Sequence, residues 1–172
     1  MEKDRLIKPT DGLVARYINR KISMRITEFI IAKNIPLTPN QVSVISFVIG
    51  IMAAPLYILS MPLPAGILVQ ISSIIDGVDG ELARARGQIS KVGGFLDSLL
   101  DRAVNIMVII ALTAYIYSMR PTLDVLITGL LALSGDLMVS YLHARGEASL
   151  GIHPARIGKF TNFASRDVRL FI

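Results

Sequence analysis

Residues 76–102 read DGVDGELARARGQISKVGGFLDSLLDR and contain four aspartates at helical spacing. Asp76 and Asp79 are three residues apart, and Asp97 and Asp101 are four apart. Residues at these spacings share one face of a helix, with Cβ atoms roughly 5–6 Å apart. Long apolar runs flank the stretch, so the carboxylates are expected at or just inside a membrane surface, where an unpaired charge costs on the order of 2.5 kcal/mol or more. A positive group is therefore expected among them.

Apolar residues are concentrated in long segments. Of the 172 residues, 52% are hydrophobic and 18% are charged, and no charged residue occurs in 35–75, 103–119 or 125–135. About 20 apolar residues cross a bilayer as a helix, so the first of these segments is long enough for two spans. We predict an all-α integral membrane protein, a single domain over residues 1–172, with four complete spans at about residues 37–59, 65–84, 94–118 and 123–143.

An interfacial amphipathic helix is predicted before the first span, over residues 11–33. Apolar residues such as Ile22 and Phe29 fall near one face of this helix. Its basic residues lie mostly on the opposite face, which is typical of a helix at a membrane surface and needs no chemical role. These residues are Arg16, Arg20, Lys21, Arg25 and Lys33. Thr38 and Pro39 then have the chemistry of a helix start, and Pro55 is expected to kink the first span.

The basic residues are distributed unevenly along the chain. Eight Lys or Arg precede the first predicted span, four lie between positions 84 and 102, and five follow the fourth span. The other two connections hold none and one. The positive-inside rule therefore places the N-terminus and the aspartate-rich stretch in the cytoplasm. Binding of nucleic acid is not expected, because the basic residues flank membrane segments with little aromatic interleaving.

The four aspartates offer only carboxylate oxygens, since no His or Cys occurs among them. Oxygen ligands favour Mg²⁺, Mn²⁺ or Ca²⁺, and Mg²⁺ is the expected ion at a cytoplasmic site. Two facing helices with two carboxylates each could hold two ions about 3.5–4 Å apart and clamp phosphoryl oxygens. Gly80 and Ala83 leave room for a substrate or for helix packing. Arg84 could hold a phosphate or serve as a plain interfacial anchor.

The spacing DxxDGxxARx8GxxxDxxxD is met without a gap from Asp76 to Asp101. It resembles the signature of the CDP-alcohol phosphotransferases, integral membrane enzymes of phospholipid and polyol-phosphate synthesis. The TPN sequence at residues 38–40 resembles the start of the first span in this family. The resemblance implies transfer of a substituted phosphoryl group from a CDP-alcohol to a second alcohol, with release of CMP and with two Mg²⁺ ions, Mn²⁺ being possible. It also implies six spans, so that the last two would lie beyond this sequence, and a homodimer.

By position, the resemblance implies roles for individual residues. The metal ligands would be Asp76, Asp79, Asp97 and Asp101, and Asp101 would also deprotonate the acceptor hydroxyl. Direct displacement suits this set, because phosphoryl transfer depends on charge neutralisation and positioning more than on a covalent nucleophile. The CDP or CMP portion would be bound at Asn40, Asp79, Gly80, Ala83, Arg84 and Gly93.

A second motif concerns the acceptor. Residues 140–148, SYLHARGEA, resemble a stretch of family members whose acceptor already carries a phosphate, notably those that use inositol phosphate. The start of the chain resembles the membrane domain of archaeal di-inositol-phosphate-phosphate synthases. The expected acceptor is inositol phosphate or glycerol phosphate, and the expected donor is a CDP-diacylglycerol or a soluble CDP-polyol. An ordinary basic cluster after a span explains the same charges equally well. The resemblance implies that Arg145 binds the acceptor phosphate, and Arg156, Lys159 and Arg166 further along the chain could complete an anion pocket.

Two other classes of function could use the same residues. A divalent-cation channel or transporter predicts acidic groups through the depth of the bilayer, whereas these four crowd its cytoplasmic side. A non-catalytic nucleotide-binding subunit would tolerate loss of Asp101. Asp136 lies outside the signature and is expected to join helices rather than bind metal, and His143 and His153 are expected at the interface. The transferase is the preferred interpretation.

Overall fold

The computed structural model describes residues 19–151, and the regular structure in this range is helical throughout. The six helices are α1 Arg20–Ala32, α2 Pro39–Ile51, α3 Ala53–Ile58, α4 Pro62–Ala85, α5 Lys91–Met119 and α6 Leu123–Leu150. The all-α prediction is confirmed. Residues 11–18 of the predicted interfacial helix lie outside the described range. So do His153 and the predicted phosphate ligands Arg156, Lys159 and Arg166.

The first predicted span is formed by α2 and α3 in succession. Helix α2 begins with a capping box, in which Thr38 Oγ1 accepts a hydrogen bond from Gln41 N at 3.3 Å and Gln41 Oε1 accepts one from Thr38 N at 2.9 Å. Pro39 occupies the first helical position, where a missing N–H is tolerated. Helix α2 ends at Ile51, four residues before Pro55. The helix is interrupted at Met52, within the turn that precedes Pro55, where a proline disturbs the helical hydrogen bonds.

Three segments within residues 19–151 are long and apolar enough to cross a membrane: Pro39–Ile58, Lys91–Met119 and Leu123–Leu150. Helix α4 has 24 residues, which is about 36 Å and long enough to span as well. Its C-terminal half is polar, however, and it is not among the three. Three of the four predicted spans therefore meet the criterion of length and composition. Helix α6 continues to Leu150 instead of ending near residue 143, so the SYLHARGEA stretch is helical.

Helix α2 packs against both α4 and α5, and α6 packs mainly against α5. Gly50 of α2 permits α2, α4 and α5 to approach closely, because a Cβ at this position would lie 2.7 Å from both Ser72 Oγ of α4 and Val104 Cγ1 of α5. Apolar residues fill the space on either side of this contact. One cluster contains Ala53, Ala54, Tyr57, Ala65, Val104, Val108 and Ala111, and the other contains Ile30, Val42, Val78 and Leu82.

Helix α1 packs against α4 through a largely polar face. Its buried residues are Arg20, Ser23, Thr27 and Ile30, whereas Phe29 is exposed. The prediction that Arg20 lies with the basic residues on the outer face of this helix is wrong. Arg20 is buried because its guanidinium is paired with a carboxylate of α4.

Candidate active site

Three of the predicted carboxylates meet between α4 and α5. Asp76 of α4 and Asp97 and Asp101 of α5 each contribute an oxygen, and these oxygens lie within 4.8 Å of one another. All three residues are half-buried. Negative charges at this separation repel one another, so the group favours a cation. A set of ligands made only of carboxylate oxygens fits a hard divalent ion such as Mg²⁺ or Mn²⁺.

Asp79 has different surroundings from the other three aspartates. It is buried, and Ser43 of α2 donates a hydrogen bond to its Oδ2. Its side chain also interacts with Asp97 and experiences the charge of Asp76. Asp79 therefore adjoins the cluster while Ser43 fixes its orientation. The role of Ser43 could not be predicted from the sequence, because a serine in an apolar helix does not reveal which neighbour its hydroxyl contacts.

The guanidinium of Arg84 lies next to Gly80, which precedes Arg84 by one turn of α4. A Cβ at Gly80 would be 3.2 Å from Arg84 Nη1 and 3.8 Å from Nη2. Asp76, Gly80 and Arg84 are spaced i, i+4 and i+8, so they share one face of the helix. The absence of a side chain at Gly80 thus leaves space for a guanidinium on the same face as a carboxylate of the cluster. Ala83, which directly precedes Arg84, is half-buried.

Asn40 and Gly93 lie next to each other although they are far apart in sequence. A Cβ at Gly93 would be 3.1 Å from Asn40 Oδ1 and 2.9 Å from Ser90 Oγ. Ser90 caps α5, since its Oγ accepts a hydrogen bond from Gly93 N at 2.9 Å. The start of α2 therefore meets the start of α5, and two residues predicted to bind the nucleotide are in contact range.

A family profile described as CDP-alcohol phosphatidyltransferase matches residues 36–168 of this sequence, which is more than half of the chain. The chain belongs to the CDP-alcohol phosphatidyltransferase family. The described helices and their carboxylates fall within the matched region, apart from α1.

Relatives within this family include archaeal proteins. The chain is 49% identical over 131 residues to a bifunctional IPC transferase and DIPP synthase of Thermococcus kodakarensis, covering 76% of this chain and 29% of that protein. It is 39% identical over 113 residues to an archaetidylinositol phosphate synthase of Pyrococcus horikoshii, covering 64% of this chain and 56% of that protein. The chain thus spans about a third to somewhat over half of the length of these relatives.

Solved structures of the phosphatidylinositol phosphate synthase of Mycobacterium tuberculosis share the fold. The structure with CDP-DAG bound has a TM-score of 0.73 and 26% sequence identity, covering 88% of this chain and 72% of that one. The structure of the same enzyme with manganese and citrate has a TM-score of 0.65 and 26% identity, covering 77% and 62%. The apolar helices of this chain and its structural similarity to this synthase support an integral membrane protein.

Asp136 of α6 joins two helices of this phosphatidyltransferase-family fold. It is buried, and Arg102 Nη1 of α5 lies 2.7 Å from its Oδ2. Asn105 Nδ2 donates to both of its oxygens at 3.2 and 3.3 Å. Asp136 thus holds α6 against α5, the role expected from its position outside the signature.

Glu81 lies within the family signature but was not among the predicted site residues. It is fully buried, and its carboxylate accepts hydrogen bonds from three side chains of α1. A signal did exist in the sequence. A charged residue in a helix of this kind requires a partner, and Arg20, Ser23 and Thr27 present one polar face on the preceding helix.

Of the predicted acceptor-phosphate ligands, only Arg145 lies within residues 19–151. Arg145 lies on α6 and is exposed, and His143 on the same helix is half-buried. The other three basic residues of the predicted anion pocket lie outside residues 19–151. Binding of the acceptor phosphate by this group stays a prediction.

Proposed function

We propose that this chain carries the active site of a CDP-alcohol phosphotransferase, which moves a substituted phosphoryl group from a CDP-alcohol to the hydroxyl of a phosphorylated acceptor and releases CMP. The observation that carries the proposal is the meeting of Asp76, Asp97 and Asp101 from two helices within 4.8 Å. Membership of the family adds the reaction class. Because the chain covers only part of the curated relatives, the activity of the whole protein is part of the proposal.

The four signature aspartates would hold the metal, as two Mg²⁺ ions or Mn²⁺ in their place. Asp76, Asp97 and Asp101 have the required donor set within 4.8 Å, and Asp79 adjoins them. Bound divalent ions would supply charge neutralisation at the phosphoryl oxygens. The manganese in the related synthase structure supports this choice of ions.

The other residues bind and orient the donor. Arg84 would hold a phosphate of the CDP portion with its guanidinium, in the space that Gly80 leaves open. Asn40, beside Gly93, would contact the nucleotide where α2 and α5 begin. The contact of these two helix starts supports a shared role. The remaining residues proposed for the nucleotide are Asp79 and Ala83.

Asp101 would accept the proton from the acceptor hydroxyl. The acceptor oxygen forms a bond to phosphorus as the bond from phosphorus to the CMP oxygen breaks, and CMP departs with that electron pair. Asp101 lies in the cluster and is half-buried, so its carboxylate is placed where the reacting groups would meet. No covalent enzyme intermediate is required in this direct displacement.

The acceptor is proposed to be an inositol phosphate, with glycerol phosphate as the alternative. Two kinds of relative are named as synthases of an inositol phosphate lipid, which supports that choice. The CDP-DAG in the related structure supports a lipid-linked donor. The positive-inside distribution supports a cytoplasmic site, and the family supports a homodimer. The acceptor phosphate would be bound by Arg145, Arg156, Lys159 and Arg166.

The test is release of CMP by membranes that contain the chain. CDP-DAG is supplied with inositol phosphate, with glycerol phosphate or with no acceptor, in the presence and absence of Mg²⁺. CMP release should require Mg²⁺ and be fastest with inositol phosphate. Asp101→Asn should lower the rate by about 10²–10⁴-fold, the contribution of a general base.

Asp124→Asn is the matched control for the same chemical change. Asp124 lies on α6 with its side chain 59% exposed, and the substitution should leave the rate unchanged. Full activity of Asp101→Asn would remove the base assignment. Transport of divalent ions into vesicles without any release of CMP would favour the channel interpretation instead.

A further inference from the structure

The contact between α1 and α4 is centred on one buried carboxylate. Arg20 Nη1 lies 2.8 Å from Glu81 Oε1, and Ser23 Oγ donates to the same oxygen at 2.7 Å. Thr27 Oγ1 donates to the other oxygen, Oε2, at 2.8 Å. Both oxygens of a fully buried glutamate are thus satisfied by the helix that precedes the first membrane span.

This arrangement requires α1 to hold a fixed position. Removing one partner from a buried ion pair costs about 3–5 kcal/mol, because the other charge is left without compensation. Arg20, Ser23 and Thr27 are spaced i, i+3 and i+7, so a single face of α1 supplies every one of these donors. Rotation of either helix about its axis would break several of the contacts together.

The contact between α1 and α4 involves the turn of α4 that directly follows Asp76. Arg20 Nη1 also donates to the carbonyl oxygen of Gly77 at 3.3 Å, and Gly77 directly follows Asp76. A Cβ at Gly77 would lie 3.3 Å from Ser23 Oγ, so a glycine is what allows α1 this close. Glu81 follows Asp76 by five residues, which places it about 140° away around the helix. Helix α1 therefore holds α4 from behind the face that presents Asp76.

We propose that Arg20 and Glu81 are positioning residues, which set the rotation of α4 so that its carboxylates face those of α5. Neither residue touches substrate or ion in this role. The inference rests on the proposed function only in that the aspartate cluster is taken to hold divalent cations. It makes α1 part of the scaffold of the site, beyond its role as a basic membrane-surface helix.

The test measures binding of Mn²⁺ alone, by the loss of the electron paramagnetic resonance signal of the free ion. Arg20→Met is the informative variant, because two explanations predict opposite signs. Removal of a positive charge near the aspartates would by Coulomb's law tighten cation binding. Loss of positioning would weaken it, and we expect the dissociation constant to rise about tenfold, as for residues that orient metal ligands.

Two further variants keep the test decisive. Thr27→Val changes no charge and removes one donor to Glu81, so binding should weaken to a smaller extent. Ser73→Ala is the control. Ser73 accepts a hydrogen bond from Asn19 Nδ2 at 3.0 Å, so it also joins the start of α1 to α4, but it does not involve Glu81. Its Mn²⁺ affinity should stay within about twofold of the parent, below the effects expected of residues that orient ligands.

The outcomes separate cleanly. Mn²⁺ binding by Arg20→Met that equals or exceeds the parent, or that weakens no more than in Ser73→Ala, overturns the proposal. Should Arg20→Met fail to fold, Thr27→Val decides, and parental affinity in that variant overturns the proposal. A parent that binds Mn²⁺ but releases no CMP refutes the transferase and leaves the binding comparison intact. Normal CMP release with unchanged binding in the variants refutes only the positioning role.

Discussion

Replacement of Gly93 by alanine should weaken binding of the CDP-alcohol while changing the stability of the fold very little. The new Cβ would lie 2.9 Å from Ser90 Oγ and 3.1 Å from Asn40 Oδ1. Both atoms are at the ends of side chains, so they can move away. The consequences are loss of the Ser90 cap on α5 and displacement of the Asn40 amide.

The magnitudes follow from these two contacts. Loss of a serine cap costs about 1 kcal/mol, whereas alanine in place of glycine at a compatible helical position stabilises by about 0.4–1 kcal/mol. Gly94 is the matched control, because a Cβ there meets no heavy atom within 4 Å. The free energy of unfolding of Gly93→Ala should therefore be about 1 kcal/mol lower than that of Gly94→Ala. Displacement of Asn40 should raise the KM for the donor about tenfold, which corresponds to about 1.4 kcal/mol.

The assay compares the two alanine variants directly. Thermal unfolding in detergent gives the stability difference, and initial rates of CMP release at increasing CDP-DAG give KM and kcat. Gly94→Ala should have the KM of the parent. Equal KM values for Gly93→Ala and Gly94→Ala would remove Asn40 and Gly93 from the nucleotide site, whatever the stability difference.

Three further predictions concern the carboxylates. Ser43→Ala removes the donor to buried Asp79, so stability should fall by about 1–3 kcal/mol in thermal unfolding, and the Mg²⁺ concentration for half-maximal CMP release should rise. Asp136→Ala should destabilise by about 2–3 kcal/mol, less than the cost for a fully buried ion pair because the Arg102 side chain is 21% exposed. Its Mg²⁺ requirement should shift less than that of Ser43→Ala, and a larger shift would contradict its assignment as a helix-joining residue. Chelation with EDTA should abolish CMP release and Mg²⁺ or Mn²⁺ should restore it; activity that survives chelation contradicts the metal assignment.

Helix class and the main site residues could be predicted from the sequence because both depend on spacing. The apolar segments gave the helices, and the Thr38 cap and Pro55 break followed from local chemistry. The i, i+3 and i, i+4 positions of the aspartates gave the shared faces that bring Asp76 and Asp101 together. Local spacing of this kind needs no knowledge of tertiary packing.

The contacts between helices could not be predicted in the same way. Periodicity shows which residues share a face, but it does not show which face of another helix they meet. Arg20 was therefore predicted to be one of several basic surface residues, although its side chain pairs with Glu81. Ser43 and Asp79 lie on different helices 36 positions apart, and no local pattern relates them. The predicted span over residues 65–84 corresponds to α4, which the criterion of length and composition does not include because its C-terminal half is polar.

The close packing at Gly50 has a consequence for the distances between metal ligands. Its neighbours are Ser72, one turn before Asp76 on α4, and Val104, about one turn after Asp101 on α5. Any side chain at position 50 would act as a wedge between these two helices just below their carboxylates. The missing methyl group of this glycine thus lets α4 and α5 come close enough for their ligand oxygens to meet, and we expect a larger residue at position 50 to increase the ionic radius that the cluster accommodates.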